Sequence, residues 1–263
     1  MADELNRTQT QTDVMDPARA RALQATLGQT PTLESGDHLP PFAHHIYFWD
    51  PQPPDHLGRD GHPATGTFIP DLGLPRRMWA AGRLVFHKPL LTGVRAEKTS
   101  MIESVTRKDG RSGPLAFVRI RHDIKQRHGL AISEWQDLVY RPDDAPAGTP
   151  PVAPLSETHA TPVSFTTTQL FRYSALTFNG HRIHYDEDYA RQTEGYDGLV
   201  VHGPLLAHLL MDLAQRHLGT LKTFAYRATG PLMHTDTADL CWKGGTLWVR
   251  RADGRQAMEA QAT

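Results

Sequence analysis

Apolar positions along the chain fall into two successive patterns, each opening irregularly or with a helix and closing on strands. Residues 1–12 are polar, rich in Thr, Gln and Asn, and read as a disordered tail. Asp16-Pro17 has the form of an N-cap followed by proline at the first helical position, residues 18–27 hold strong helix formers, and Gly28 is a stop. Residues 31–75 carry many of the prolines and glycines and predict long loops with short elements such as 43–49. From Arg83 the period shortens: 83–88, 95–108, 115–123 and 129–140 are rich in β-branched or large apolar residues, often in alternation, and predict strands. Asp109-Gly110 and Arg127-His128-Gly129 are turn candidates between them.

Residues 142–162 are dense in Pro, Ala, Thr and Ser, the composition of a linker. The pattern then restarts. Residues 163–168 predict a strand, 169–176 a helix broken by Asn179-Gly180, and 186–193 a short helix. Gly203-Pro204 opens the longest apolar helix, 205–217, where Leu205, Leu206, Leu209, Leu210 and Leu213 would bury most of the circumference. Strands are predicted at 221–228, 238–242, 246–251 and 256–262. The division is a tail at 1–12, an N-terminal half at 13–145, a linker at 146–162 and a C-terminal half at 163–263. The class is α+β, a long helix lying on a curled antiparallel sheet.

Charge narrows the function. Lys plus Arg number 28 against 29 for Asp plus Glu, a net −1, so the field of excess positive charge that a nucleic-acid or membrane-surface binder needs is absent. The one cysteine, Cys241, lies in an apolar run and reads as a buried thiol. Neither a signal-peptide stretch nor an apolar run near the roughly 20 residues of a bilayer span is found, and the expectation is a cytoplasmic protein.

The chemistry concentrates in residues 171–186, Phe-Arg-Tyr-Ser-Ala-Leu-Thr-Phe-Asn-Gly-His-Arg-Ile-His-Tyr-Asp, followed by 198–204, Gly-Leu-Val-Val-His-Gly-Pro. Asn179 and His184 flank a tight turn and can address one space. A neutral imidazole takes a proton from water, and an amide holds that water. Gly203 precedes a long helix, whose free N–H groups and dipole suit a carbonyl oxygen gaining negative charge. His181 and His184 with Asp186 have a weak metal-ligand spacing, and Asn179-Gly180 argues against the continuous helix it would need, so no metal is expected.

These segments resemble the motif of the MaoC-like, R-specific enoyl-thioester hydratases and dehydratases. The resemblance is closest to the hydroxyacyl-thioester dehydratase type 2 branch, with its mesaconyl-CoA and itaconyl-CoA hydratases. It extends to 75–84 (Pro-Arg-Arg-Met-Trp-Ala-Ala-Gly-Arg-Leu), 108–115 (Lys-Asp-Gly-Arg-Ser-Gly-Pro-Leu), 135–141 (Trp-Gln-Asp-Leu-Val-Tyr-Arg) and 226–232 (Tyr-Arg-Ala-Thr-Gly-Pro-Leu). It implies a double hot-dog fold, with an N-terminal half that has lost catalytic residues and a tunnel for an acyl–pantetheine arm between the halves. His184 falls on the family's catalytic histidine. Asn179 falls where the wider family has aspartate, a departure that leaves His184 as the only base of the motif.

The resemblance implies reversible hydration of an enoyl thioester, carried on CoA or on acyl-carrier protein, by a homodimer without cofactors. A short branched dicarboxylyl-CoA requires a cation in the acyl pocket, for which Arg172, Arg182 and Arg227 are candidates. A linear 3-hydroxyacyl chain requires an apolar tunnel. His202 either lines the pocket or caps the helix, and Tyr173 is a further substrate-binding candidate. Arg76, Arg77 and Arg83 are candidates for CoA phosphates or simply solvated charges. The competing functions are a hot-dog thioesterase, which needs a carboxylate that the motif does not supply, and a non-catalytic acyl-thioester-binding protein, which Asn179 would favour and His184 with Gly203 would not.

Overall fold

A computed structural model describes residues 5–110, 113–143 and 148–263. The first four residues of the expected tail, the middle of the 109–115 hairpin and the first residues of the linker lie outside that range. Chain order is β1 (Thr8–Asp13), α1 (Pro17–Thr26), β2 (Arg76–Phe86), β3 (Ala96–Gly110), β4 (Gly113–Gln126), β5 (Gly129–Arg141), β6 (His159–Val163), α2 (Thr167–Thr177), α3 (Glu187–Gln192), α4 (Gly203–Leu218), β7 (Thr223–Ala228), β8 (Ala238–Lys243), β9 (Thr246–Arg251) and β10 (Gln256–Ala262).

All ten strands form one antiparallel sheet in the order β1-β3-β4-β5-β2-β7-β10-β9-β8-β6. The halves join along β2 and β7, where Ala81 faces Arg227 and Val85 faces Thr223. α4 packs on β7, β8, β9 and β10 of the C-terminal half and buries Leu205, Leu206, Leu210, Met211 and Leu213. Among the described residues the N-terminal half has no equivalent long helix. Its sheet is covered instead by α1, by the 3₁₀ turn Ala43–Ile46 and by the irregular 31–75 segment. One apolar core runs through both halves, from Met15, Phe42 and Leu84 to Leu205, Phe224 and Met258. This is the α+β double hot-dog architecture expected.

Three boundaries differ from the sequence reading. Thr8–Asp13 is no disordered tail but an edge strand, paired with β3 from Thr8↔Met101 to Asp13↔Ala96. β2 begins seven residues before the predicted Arg83, and its stretch 76–82 pairs with β5. In the second half the strand is His159–Val163, inside the expected linker, and Thr166 caps α2 by accepting the Gln169 N–H. Asp16 caps α1 as predicted, with Pro17 at the first position. No helix among the described residues is long and apolar enough to cross a membrane.

Candidate active site at the junction of the two halves

Segment 178–186 is a chain of local turns. Phe178 ends α2 in the left-handed region at φ 50°. The Asn179 Oδ1 then accepts the His181 N–H at 3.0 Å, an Asx turn. A 3₁₀ turn, Arg182–His184, follows, and Asp186 caps α3 by accepting the Tyr189 N–H. Nothing here is a continuous helix.

The turn is fixed from the other half. The Arg182 N–H donates to the Asp60 carbonyl at 2.9 Å. Gly61 sits back to back with Gly180: a Cβ on Gly61 would lie 2.0 Å from the Gly180 oxygen, and Gly61 has φ +85°. Only glycine on both sides allows that approach.

His184 is buried, and its Nδ1–H donates to the Val200 carbonyl at 2.7 Å. A carbonyl only accepts, so this contact assigns the tautomer. Nε2 is left with its lone pair and no partner among the described residues. Burial lowers the His184 pKa to about 4, against the opposing pull of the Val200 carbonyl, so the ring is neutral near pH 7. The ring stacks on His202 at 3.7 Å. His202 is fully buried, its Nε2 2.8 Å from the Ser174 Oγ, and it occupies the N-cap position of α4 without a capping side-chain bond. That stacking sets the start of α4 beside the imidazole. Gly203 is the first helical residue, and its N–H meets no acceptor among the described residues. A Cβ on Gly203 would stand 2.9 Å from the Trp79 ring, which itself stacks on Tyr226. Tyr173 is buried with its ring edge-on to His202, and its hydroxyl has no partner among the described residues.

A cavity of about 540 Å³ lies alongside, walled mostly by the N-terminal half. Asn179 lines it; His184, His202 and Gly203 do not. His62 lines it too, and the His62 ring is 4.8 Å from that of His181, which is 5.4 Å from that of His184. At one end Glu134 accepts from His44 and His45 at 2.8 Å each and from Gln136 at 2.9 Å. Burial alone would raise the Glu134 pKa, but the two histidines hold it well below the usual carboxylate range. Lys98 lines the same end, and burial lowers its pKa to about 8. At the other end lie Asp60, His62, Arg77 and Tyr140.

Of the three arginines expected to meet a substrate carboxylate, none lines this cavity. Arg172 is exposed on α2. Arg182 is bonded to Asp186 at 2.8 and 3.0 Å. Arg227 is exposed on β7 and paired with Glu259 at 2.8 Å. Among the other arginines considered, Arg76 is held by Glu194 at 2.6 Å and Arg83 lies over Trp135. Arg77 makes no hydrogen bond or ion pair with a described residue. The His181, His184 and Asp186 trio does not assemble. Asp60, His62 and His181 do, with ligand-type atoms within 4.8 Å of one another, as do His44, His45 and Glu134. The second trio is already joined by hydrogen bonds, and Arg77 acts electrostatically on Asp60, His62 and His181, against a dication there. Cys241 is buried against Trp248, and burial raises its thiol pKa to about 11, so it is no nucleophile. Asp60, His62 and Tyr140 were not singled out for chemistry in the sequence, and Arg77 was a candidate only for CoA phosphates.

The model of the family described as hydroxyacyl-thioester dehydratase type 2 matches residues 42–234. The chain belongs to this family. It is 45% identical over 235 residues to a mesaconyl-C(4)-CoA hydratase of Chloroflexus aurantiacus, covering 87% of this chain and 83% of that one. It is 28% identical to the mitochondrial hydroxyacyl-thioester dehydratase type 2 of Schizosaccharomyces pombe, covering 91% of each. Among solved structures, HtdX of Mycobacterium tuberculosis superposes with a TM-score of 0.69 at 19% identity, covering 97% of this chain and 99% of that one. A Mycobacterium tuberculosis protein described as a double hotdog fold gives 0.59 at 16% identity, covering 99% and 96%. These two likenesses establish the fold.

Proposed function

We propose that the protein adds water reversibly across the C2–C3 double bond of an enoyl-CoA thioester whose acyl group is a short branched dicarboxylate, as the name of the 45%-identical relative suggests. The observation that carries this is the His184–Val200 bond, which leaves an unprotonated Nε2 beside the free N–H at the start of α4. The Gly203 N–H donates to the thioester carbonyl and stabilises the charge that develops on its oxygen. His184 Nε2 takes a proton from water, and Asn179 Nδ2 orients that water, its Oδ1 being occupied by the turn. The water oxygen bonds to C3, the π pair shifts to C2, and His184 returns its proton to C2. The sum is one water added with no change of net oxidation state, so the reaction needs no redox cofactor.

The cavity argues for the substrate. A linear fatty chain would have to cover the half-buried Lys98 ammonium without a counter-charge of its own, at a cost of several kcal/mol for a stranded ion (of order 3 or more). A short, charged acyl group fits this wall. One observation favours a second reaction: Asp60, brought to the motif from the other half, is a carboxylate whose pKa burial raises, and a thioesterase would use such a group to direct water at the carbonyl.

The N-terminal half is assigned here to substrate binding and the C-terminal half to chemistry. CoA rather than carrier protein is the favoured carrier. Association as a cytoplasmic homodimer, the usual pairing of hot-dog folds, belongs to the same reading, and light scattering on the purified protein tests it. The reaction is tested with mesaconyl-C(4)-CoA, itaconyl-CoA, crotonyl-CoA and a long-chain enoyl-CoA, following hydration and free CoA together. Hydration of the dicarboxylyl thioesters without CoA release is expected. CoA release identifies the thioesterase, and preference for the long chain contradicts the substrate assignment.

A further inference from the structure

Arg77, the second residue of β2, stands directly opposite Tyr140 of β5. Directly opposed residues of an antiparallel pair point to the same face, and both line the cavity. Each lacks a partner: Arg77 makes no hydrogen bond or ion pair with a described residue, and the buried Tyr140 hydroxyl has none. His62 lines the same end, with no side-chain hydrogen bond to a described residue. The buried Tyr140 hydroxyl is costly to leave unpaired unless a ligand satisfies it, and the half-buried Arg77 and His62 converge on it from a second strand and a loop.

We infer that Arg77, Tyr140 and His62 form a receptor for the free carboxylate of the acyl group, placed so that only thioesters bearing that carboxylate on the carbon to be hydrated are aligned with His184. This rests on the hydratase reading above. In a C4 thioester of mesaconate the carboxylate is attached to C3 counted from the thioester, the carbon that water attacks. Its receptor therefore has to adjoin the catalytic imidazole. Arg77 meets that condition: it acts electrostatically on His62 and His181, and the His181 ring is 5.4 Å from that of His184. Of the other cavity cations, Arg59 is already paired with Asp143, and Lys98 does not meet the condition. Lys98 interacts electrostatically with Glu134, Asp50, His44 and His122, and it lies over the Phe48 ring, at the opposite end. A planar guanidinium takes both oxygens of a carboxylate, and the phenol supplies a third donor. Asp60 faces the same space and would repel the incoming anion. Its Oδ1 accepts the His62 N–H, and burial shifts its pKa upward, which weakens that repulsion.

Crotonyl-CoA carries an uncharged methyl group, trans to the thioester, in the place where the C4 mesaconyl thioester has its carboxylate, and hydrogen in place of the C3 methyl, so the carboxylate's charge is the main difference between the two substrates. The readout is the ratio of kcat/KM for mesaconyl-C(4)-CoA over crotonyl-CoA. Arg77→Met is expected to lower the ratio about 100-fold, Arg77→Lys about tenfold, and Tyr140→Phe about fivefold, the size of lost charged and neutral hydrogen bonds. Tyr140→Phe removes one oxygen from a packed ring and keeps the test available should Arg77→Met fail to fold. An unchanged ratio in Tyr140→Phe and Arg77→Lys, or parallel loss of both substrates in the Arg77 variants, overturns the receptor. A wild-type protein that hydrates neither substrate overturns the hydratase reading itself and the receptor with it; one that hydrates crotonyl-CoA as well as mesaconyl-C(4)-CoA overturns the receptor alone.

Discussion

The Nδ1–H of His184 donates to the Val200 carbonyl at 2.7 Å, and Val200 lies three residues before the start of α4. Val200 itself is fixed twice, its N–H donating to the Ile183 carbonyl and its residue bridging Met233. The bond thus ties the imidazole's tautomer and orientation to the strand-like segment that delivers Gly203. A base and a carbonyl-binding N–H have to be mutually positioned for addition to an enoyl thioester, and here one backbone contact does so.

Asn179 divides its amide between structure and chemistry. Its Oδ1 holds the Asx turn, and Asn179→Asp keeps that acceptor while removing the Nδ2 donor. Stability to urea is expected to stay within about 0.5 kcal/mol of wild type, while kcat falls by roughly 10- to 100-fold through loss of the water-orienting donor. Equal or higher kcat in Asn179→Asp contradicts the role given to the amide.

Gly203→Ala places a methyl group against the Trp79 ring, 2.9 Å from its Cε3. Overpacking there is expected to cost about 1–3 kcal/mol and to displace the N–H that binds the carbonyl, lowering kcat more than it raises KM. The double variant Gly203→Ala, Trp79→Leu relieves the contact, and thermal melts should recover most of the lost stability. No recovery would mean that Trp79 is not what requires glycine.

Histidines 44, 122, 181 and 184 are held neutral by burial, at about 4, 3, 3 and 4 respectively. Their folded pKa lies below the unfolded value of 6.5, so the unfolded chain binds more protons in between. Their contribution is intact above pH 6.5 and is lost as pH falls from 6.5 towards 4, by about 1.4 kcal/mol per pH unit for each histidine at most. Urea denaturation at pH 7.5, 6 and 5 should show stability falling steeply across that window, and a flat profile would contradict the burial assigned to these rings.

Much of this architecture is written in local pattern. The Leu-rich stripe of α4, the Asp16-Pro17 start of α1 and the alternation of β3, β4 and β5 each act within a few residues, and all formed where expected. Thr8–Asp13 escaped because an edge strand with Thr on one face and Gln and Asp on the other carries no apolar alternation. The start of β2 escaped for a related reason: Arg76 and Arg77 read as surface charge until β5 is laid beside them. The motif around His184 was legible, whereas the cavity was not. Asp60, His62, Arg77 and Tyr140 come from a loop and two strands distant in sequence, and only folding brings them together. The arginines nearest the motif, Arg172 and Arg182, were for that reason the wrong place to look for a cavity cation: one is exposed and the other is bound to Asp186.

The central claim is that the Nε2 of His184 is the acid/base of a hydration. The direct measurement is mesaconyl-C(4)-CoA hydration by wild type and by His184→Gln, with substrate binding measured in both. The account predicts that His184→Gln binds the thioester within a fewfold of wild type and that kcat falls by roughly 10²–10⁴. Hydration that persists in His184→Gln at more than about a tenth of the wild-type rate would contradict it.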